Sequence, residues 1–99
     1  MKEYQTEKGN TLYYKVSYDL GGYNYFTSTE RERGYYLSIQ RKYREFSAFS
    51  GLDDPSGAVR VLLLPVKRQS VKAERQAEEM AEQKVAEIVG LYAERGVEL

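Results

Sequence analysis

The sequence of 99 residues contains no cysteine and no histidine. Without cysteine, the chain can form no disulfide, no zinc–thiolate site and no thiol nucleophile. Without histidine, it lacks the commonest general base and the commonest transition-metal ligand of enzymes. We therefore predict a protein that is not an enzyme and that holds no metal and no cofactor.

Long apolar runs are scarce as well. The first ten residues, MKEYQTEKGN, contain no apolar leader segment, and no run approaches the roughly 20 apolar residues of a membrane-spanning helix. We expect a cytoplasmic protein without a membrane partner. The 15 basic side chains balance 15 acidic ones, so the chain is far from the basic excess of an obvious nucleic-acid binder.

What the sequence does contain is a high aromatic fraction of 13% within 41% hydrophobic residues, which favours a folded chain. At this length we expect a single domain with a thin core. The patterning changes at the longest apolar run, AVRVLLLPV, from Ala58 to Val66. Before this run the chain is rich in tyrosine and alternates; after it, alanine and glutamate recur at helical spacing.

The run over residues 58–66 is predicted to be a buried strand, with a short helix as the alternative. Pro65 disfavours the helix, because proline is tolerated at a strand terminus but not inside a helix. Both faces of such a strand are apolar, one with Val59, Val61 and Leu63, the other with Leu62, Leu64 and Val66. Since one helix covers only one face, a curled sheet or a second subunit should cover the other.

The N-terminal half has the pattern of an antiparallel sheet. Residues 1–9 have no period and predict a flexible tail, whereas residues 11–19 alternate as a half-buried strand. The paired glycines at 21 and 22 predict a tight hairpin that returns as a strand over residues 23–29, with its buried face left open. Residues 35–41 predict a third strand, and the pattern allows it to continue to residue 49.

The C-terminal part predicts one long amphipathic helix that follows the N-cap residue Ser70 and extends to Arg95. Gly90 weakens this helix, and Gly96 suits its C-terminal cap. The predicted fold is α+β: an antiparallel β-meander of three to four strands over residues 11–66, with one long C-terminal helix over residues 70–95 packed on one face. The predicted core comprises Leu12, Val16, Leu37, Ile39, Val61, Leu63, Ala77, Met80, Ala81, Val85, Ile88 and Tyr92.

Five short segments carry a resemblance that spans most of the chain. They are KVSYD at 15–19, GGYNYFT at 21–27, RGYYL at 33–37, AFSG at 48–51 and KRQS at 67–70. In these segments the sequence resembles a group of small proteins encoded in bacteriophages and mobile elements of gut bacteria, which have no assigned activity. The resemblance implies a small cytoplasmic accessory protein of a mobile element, and it carries over no catalytic or binding residue.

Aromatic and cationic side chains are predicted to share the sheet face opposite the helix. The set comprises Tyr13, Lys15, Tyr36, Lys42 and Arg60. Aromatics beside cations on an open sheet stack unpaired bases and hold phosphates in several folds, so one hypothesis is binding of nucleic acid, preferably single-stranded. The alternative is ordinary cross-strand packing of tyrosine, without a ligand.

A second functional hypothesis is a homo-oligomeric protein-interaction module with no nucleic-acid role. It would self-associate through Leu62 and Leu64 on the uncovered apolar face, most simply as a homodimer.

Asp53 and Asp54 are adjacent carboxylates of the kind that can divide acid and base roles in an enzyme. Proline and glycine beside them indicate an exposed turn instead.

Overall fold

The computed structural model describes residues 1–41, 51–55 and 57–99. It contains a four-stranded antiparallel sheet, a separate two-stranded ribbon and one long helix packed on the sheet. The elements are β1 (Lys2–Gln5), β2 (Thr11–Asp19), β3 (Gly22–Asn24), β4 (Thr29–Arg31), β5 (Gly34–Gln40), β6 (Ala58–Leu64) and α1 (Val71–Glu94). The main sheet has the order β1-β2-β5-β6, and the ribbon pairs β3 with β4. The predicted α+β fold is confirmed.

Both ends of α1 are capped as the sequence predicts. Ser70 lies in extended backbone, and its hydroxyl accepts the N–H of Ala73 at 3.0 Å. At the other end, the N–H of Val97 donates to the carbonyl of Tyr92 at 3.0 Å, while Gly96 adopts a φ of 80°. This is a Schellman arrangement, in which glycine supplies the left-handed residue that closes the helix.

The core lies between α1 and one face of the main sheet. Val16 of β2 pairs with Leu37 of β5, which pairs with Val61 of β6, so apolar side chains line up across the sheet. Eight predicted core residues are buried: Leu12, Leu37, Ile39, Leu63, Ala77, Ala81, Val85 and Ile88. Four more pack against them while partly exposed: Val16, Val61, Met80 and Tyr92. The cluster also includes Tyr14, Tyr35, Leu52 and Leu99, which the sequence did not single out.

The N-terminal segment differs from the expectation of a flexible tail over residues 1–9. Residues 2–5 form β1, which pairs with β2 across the register from Lys2↔Tyr14 to Gln5↔Thr11. An ion pair of 3.0 Å between Lys2 and Glu78 ties this strand to α1, and this hydrogen bond raises the pKa of Lys2. β1 is a polar edge strand in which only Tyr4 is half-buried. Its sequence therefore shows no alternation of apolar residues.

The glycine pair also acts differently from the prediction. Gly21 and Gly22 have φ values of 76° and 130°, but they lead the chain out of the main sheet rather than back into it. The predicted return strand over residues 23–29 divides into β3, a four-residue loop and the start of β4. On the side away from β1, β2 pairs with β5 from Tyr13↔Gln40 to Asp19↔Gly34. The third strand is confirmed, and its suggested extension over residues 42–49 lies outside the described residues.

The apolar run forms a strand, β6, and not a helix, as predicted, but the strand lies at the edge of the sheet and most of its residues are half-buried rather than buried. Its register shifts at one point, because Tyr35 pairs with Leu64 while Tyr36 pairs with Leu62. Leu63 is therefore the additional residue of a β-bulge. The bulge corrects the predicted alternation: Leu64 shares the helix-covered face, and Leu62 lies on the opposite face.

Candidate functional site

Four of the five residues predicted to contact nucleic acid lie on one sheet face, opposite α1. Lys15 pairs with Ser38, which pairs with Arg60, so the two cations occupy one row across three strands. Tyr13 and Tyr36 lie one row away on either side. The fifth residue, Lys42, lies outside the described residues.

On this face, Tyr36 and Arg60 are engaged by other groups of the chain. The guanidinium of Arg60 lies over the Tyr36 ring, 4.4 Å from its centroid. The ring is only 9% exposed, and its hydroxyl donates to the carbonyl of Glu32 at 2.6 Å. Lys15 is exposed and Tyr13 is half-exposed. Contact with nucleic acid stays a prediction for all of them. Little of the Tyr36 ring is accessible for stacking with a base, because the rest of the chain covers it.

Asp19 is the charged centre of this region, and the sequence did not identify it. Its carboxylate accepts from Arg60 at 2.8 Å, from Arg31 at 3.0 Å and from the N–H of Gly21 at 2.7 Å. Burial acts to raise the pKa of Asp19, but these hydrogen bonds outweigh it and lower the pKa to about 2. The carboxylate thereby fixes the base of the β3–β4 ribbon to the main sheet. An aspartate placed directly before a glycine-containing turn was the available signal.

The two residues predicted for an oligomer interface, Leu62 and Leu64, are both half-exposed on β6 but lie on different faces. Leu64 packs against the core, whereas Leu62 does not belong to the core cluster. A groove of about 260 Å³ runs between β6 and α1 beside this edge. Its lining comprises Leu62, Leu63, Met80, Gln83, Lys84 and Glu87.

Three exposed aromatic side chains form a surface that the sequence did not reveal. At the end of the ribbon, Phe26 is fully exposed, Tyr25 is 85% exposed and Tyr23 is 51% exposed. The rings of Tyr23 and Tyr25 meet edge to face, with centroids 4.8 Å apart. We call these three side chains the aromatic tip. Exposed aromatic clusters of this kind mark contact surfaces for other molecules.

A cavity of about 430 Å³ lies at the other end of the molecule, between the turn after β1, the C-terminal part of α1 and the chain that follows the helix. An ion pair between Lys8 and Glu98 stands beside it. We call it the tail cavity. Its lining combines apolar with charged residues: Tyr4, Thr6, Glu7, Lys8, Ala86, Val89, Gly90, Ala93, Gly96, Val97, Glu98 and Leu99. A Cβ placed on Gly90 would meet no atom within 4 Å.

The carboxylates considered for catalysis, Asp53 and Asp54, are both exposed in the turn over residues 51–55. Within the described part of the chain, no three His, Cys, Asp or Glu residues come together as a group that could hold a metal. Leu52, between these carboxylates and Gly51, is fully buried, and its N–H donates to the Tyr92 hydroxyl at 2.9 Å. This contact gives the turn a packing role against α1.

Comparisons of the chain with protein-family models, curated proteins and solved structures each find no match. Over residues 1–41, 51–55 and 57–99, the structure contains no helix with the length and apolarity needed to cross a membrane. No family assignment follows, and the geometry of the described residues carries the functional proposals.

Proposed function

We propose that the chain is a non-enzymatic protein-interaction module that works as a homodimer, formed through the outer edge of β6. The observation that carries this proposal is the contrast between the two edges of the main sheet. β1 is short and polar, with the sequence KEYQ, which is how natural proteins protect an exposed edge. β6 has seven residues, AVRVLLL, with a single charge, and no strand of the described residues pairs with its outer side.

Antiparallel pairing of two β6 strands gives each outer side the strand partner that the described residues do not provide, and it extends the sheet to eight strands. Because the two strands are identical, the contact is isologous and closes with two copies. The groove beside β6 supports this arrangement. Its apolar residues, Leu62, Leu63 and Met80, lie next to Lys84 and Glu87, which pair with each other at 3.2 Å on α1. The surface that two copies would share is therefore apolar, with a neutralised charge pair beside it.

The nucleic-acid hypothesis receives weaker support from the same structure. Its cationic row contains Arg60, whose guanidinium already bonds to Asp19, and its aromatic set contains Tyr36, which Arg60 covers. Lys15 remains the exposed cation of this row. A dimer through β6 leaves the sheet face of Lys15 accessible, so nucleic-acid binding can be tested separately.

The test is the mass of the protein in solution, measured by sedimentation equilibrium over a wide concentration range. Leu62→Lys places a charge at the proposed interface without removing a core side chain. We therefore expect the dissociation constant of the dimer to rise at least about tenfold. The matched control is Val71→Lys, which makes the same chemical change at a side chain 73% exposed on the first residue of α1. A wild-type monomer at high micromolar concentration, or a Leu62→Lys variant that dimerises normally, would contradict the proposal.

A further inference from the structure

We propose that the aromatic tip binds an arginine side chain of another protein, which lies against the rings of Tyr23 and Tyr25 and bonds to the carboxylate of Glu30. This contact goes beyond the dimer through β6, because it uses neither β6 nor the groove beside it. The proposal rests on the ribbon face that these three side chains share, on the charges of the ribbon and on a similar arrangement elsewhere in the chain.

Tyr23, Tyr25 and Glu30 lie on one face of the ribbon. The register of β3 and β4 places Tyr23 directly opposite Glu30. Residues that are opposite each other in an antiparallel pair have their side chains on the same face. The Tyr25 ring joins this face, since its centroid lies 4.8 Å from that of the Tyr23 ring, at an interplanar angle of 72°. Two nearly perpendicular rings and a carboxylate are therefore found together.

The other face of the ribbon is attached to the main sheet. Arg31 follows Glu30 in β4, so its side chain points to the opposite face, and it donates to Asp19 at 3.0 Å. The attachment leaves the face with the two rings open. Tyr25 is 85% exposed, and Tyr23 and Glu30 are exposed as well. A partner can therefore reach all three side chains at once.

The charges of the ribbon favour a cation. Arg31 is bonded to a carboxylate, and Arg33 donates to two backbone carbonyls at 2.9 and 3.4 Å. Glu30 and Glu32 are exposed, and within the part of the chain that the structure describes neither carboxylate makes an ion pair. These carboxylates and the negative ring faces attract a cation, whereas they repel the phosphates of nucleic acid or anionic lipid.

The main sheet already contains this combination of groups with an arginine in place. The guanidinium of Arg60 lies 4.4 Å from the centroid of the Tyr36 ring and donates to Asp19 at 2.8 Å. A guanidinium can make both contacts at once, because its flat face stacks on a ring while its N–H groups donate to a carboxylate. The ammonium group of lysine has no flat face. For this reason the proposed ligand is arginine rather than any cation.

The tip is ordered before a partner binds. The side-chain oxygen of Asn24 accepts the N–H groups of Phe26 and Thr27, at 2.9 and 3.3 Å. Thr27 and Thr29 share a hydrogen bond of 2.6 Å between their hydroxyls. Because these bonds order the loop in advance, binding costs little further conformational entropy of the backbone. Phe26, fully exposed beside Tyr25, offers apolar surface to the residues that flank the arginine.

The test is a titration of the isotope-labelled full chain, followed by NMR, with a hexapeptide that carries two arginines among glycine and serine residues. We expect saturable shifts in the amide signals of residues 22–32, with a dissociation constant of at most about 1 mM. The same peptide with citrulline in place of arginine keeps the shape without the charge and should bind at least about tenfold more weakly. A lysine peptide should bind at least about twofold more weakly.

Variants of the tip separate the two contributions. Tyr25→Leu removes the ring face but keeps an apolar side chain, and it should weaken binding of the arginine peptide at least about threefold, whereas Tyr25→Phe should bind as the wild type. Glu30→Gln removes only the charge and should also weaken binding at least about threefold, and the double variant at least about tenfold. The matched control is Glu3→Gln, the same change at an exposed position of β1, which should leave binding unchanged.

Thermal melts by circular dichroism should show that these variants fold, since none of the substituted residues is buried. Equal binding of the arginine and citrulline peptides would overturn the proposal, as would a lysine peptide that binds as tightly or a double variant that binds normally. Shifts at residues 22–32 that arise only with zwitterionic vesicles or a single-stranded oligonucleotide would also overturn it, because the tip would then have another occupant.

Sedimentation velocity tests whether the occupant is a second copy of this chain. Tyr25→Leu should have the same mass in solution as the wild type, and a lower mass would mean that the tip contacts another copy instead of another protein. Leu62→Lys should bind the arginine peptide as the wild type does, because the tip lies outside β6. Failure of this proposal is thus distinguishable from failure of the dimer through β6.

Discussion

Replacing Asp19 with asparagine tests whether the carboxylate that joins the ribbon to the main sheet stabilises the fold. The substitution keeps the shape of the side chain but removes the charge that Arg31 and Arg60 contact at 3.0 and 2.8 Å. In the wild type, the pKa of Asp19 falls from an ordinary value of 3.8 to about 2. That shift corresponds to roughly 2 kcal/mol as an upper limit, and solvent screening of a partly open site reduces it to about 1–2 kcal/mol.

The pH dependence gives this prediction its sharpest form. A carboxyl group with a lowered pKa in the folded state stabilises that state above its unfolded pKa, and the stabilisation disappears as pH falls through the folded pKa. The stability difference between wild type and Asp19→Asn should therefore be full at neutral pH and vanish between about pH 4 and pH 2.

Urea unfolding at a series of pH values measures this difference, with Asp53→Asn, an exposed loop carboxylate, as the matched control. The expected free-energy loss for Asp19→Asn at neutral pH is about 1–2 kcal/mol, with little change for the control. A loss below about 0.5 kcal/mol at neutral pH, or an equal loss at pH 2, would refute the reasoning.

Three further predictions address the core, the helix and the sheet face. Ile88→Ala should destabilise the fold by about 2–4 kcal/mol, and an unchanged urea midpoint would remove this residue from the core. Gly90→Ala should raise stability by up to about 1 kcal/mol, because the new methyl group meets no neighbour; a lower melting temperature would contradict this. If the sheet face binds single-stranded DNA, the affinity should fall steeply with salt, and Lys15→Glu with Lys42→Glu should abolish it; salt-independent binding would exclude phosphate contacts.

Local pattern was sufficient to predict the elements whose residues alternate or recur at helical spacing. Each of β2, β5, β6 and α1 buries at least one face, so the spacing of its apolar residues indicates its conformation. β1 has no such pattern, because its side chains are mostly exposed. Leu52 was missed for another reason: a single apolar residue in a polar turn has no period, and its burial depends on Tyr92, 40 residues away.

The ribbon and the bulge could not be predicted because they depend on which strands pair. Paired glycines indicate a change of direction but do not say which segment the chain will meet next. Likewise, alternation placed Tyr13, Lys15, Tyr36 and Arg60 correctly on one face, whereas the bond from Arg60 to Asp19 joins residues 41 positions apart. The exposure of Phe26 also followed only from the fold, since sequence pattern had suggested a strand there.

The pairing of Asp19 with Gly34 has a consequence for how this protein can diversify. Because the chain leaves β2 and enters β5 at adjacent points, residues 20–33 form an excursion whose two ends already meet. A shorter or longer segment can occupy the same position without shifting the register of any strand in the main sheet. The frame and its appendage are thus separable: the length and the surface of these 14 residues can change while the scaffold stays constant.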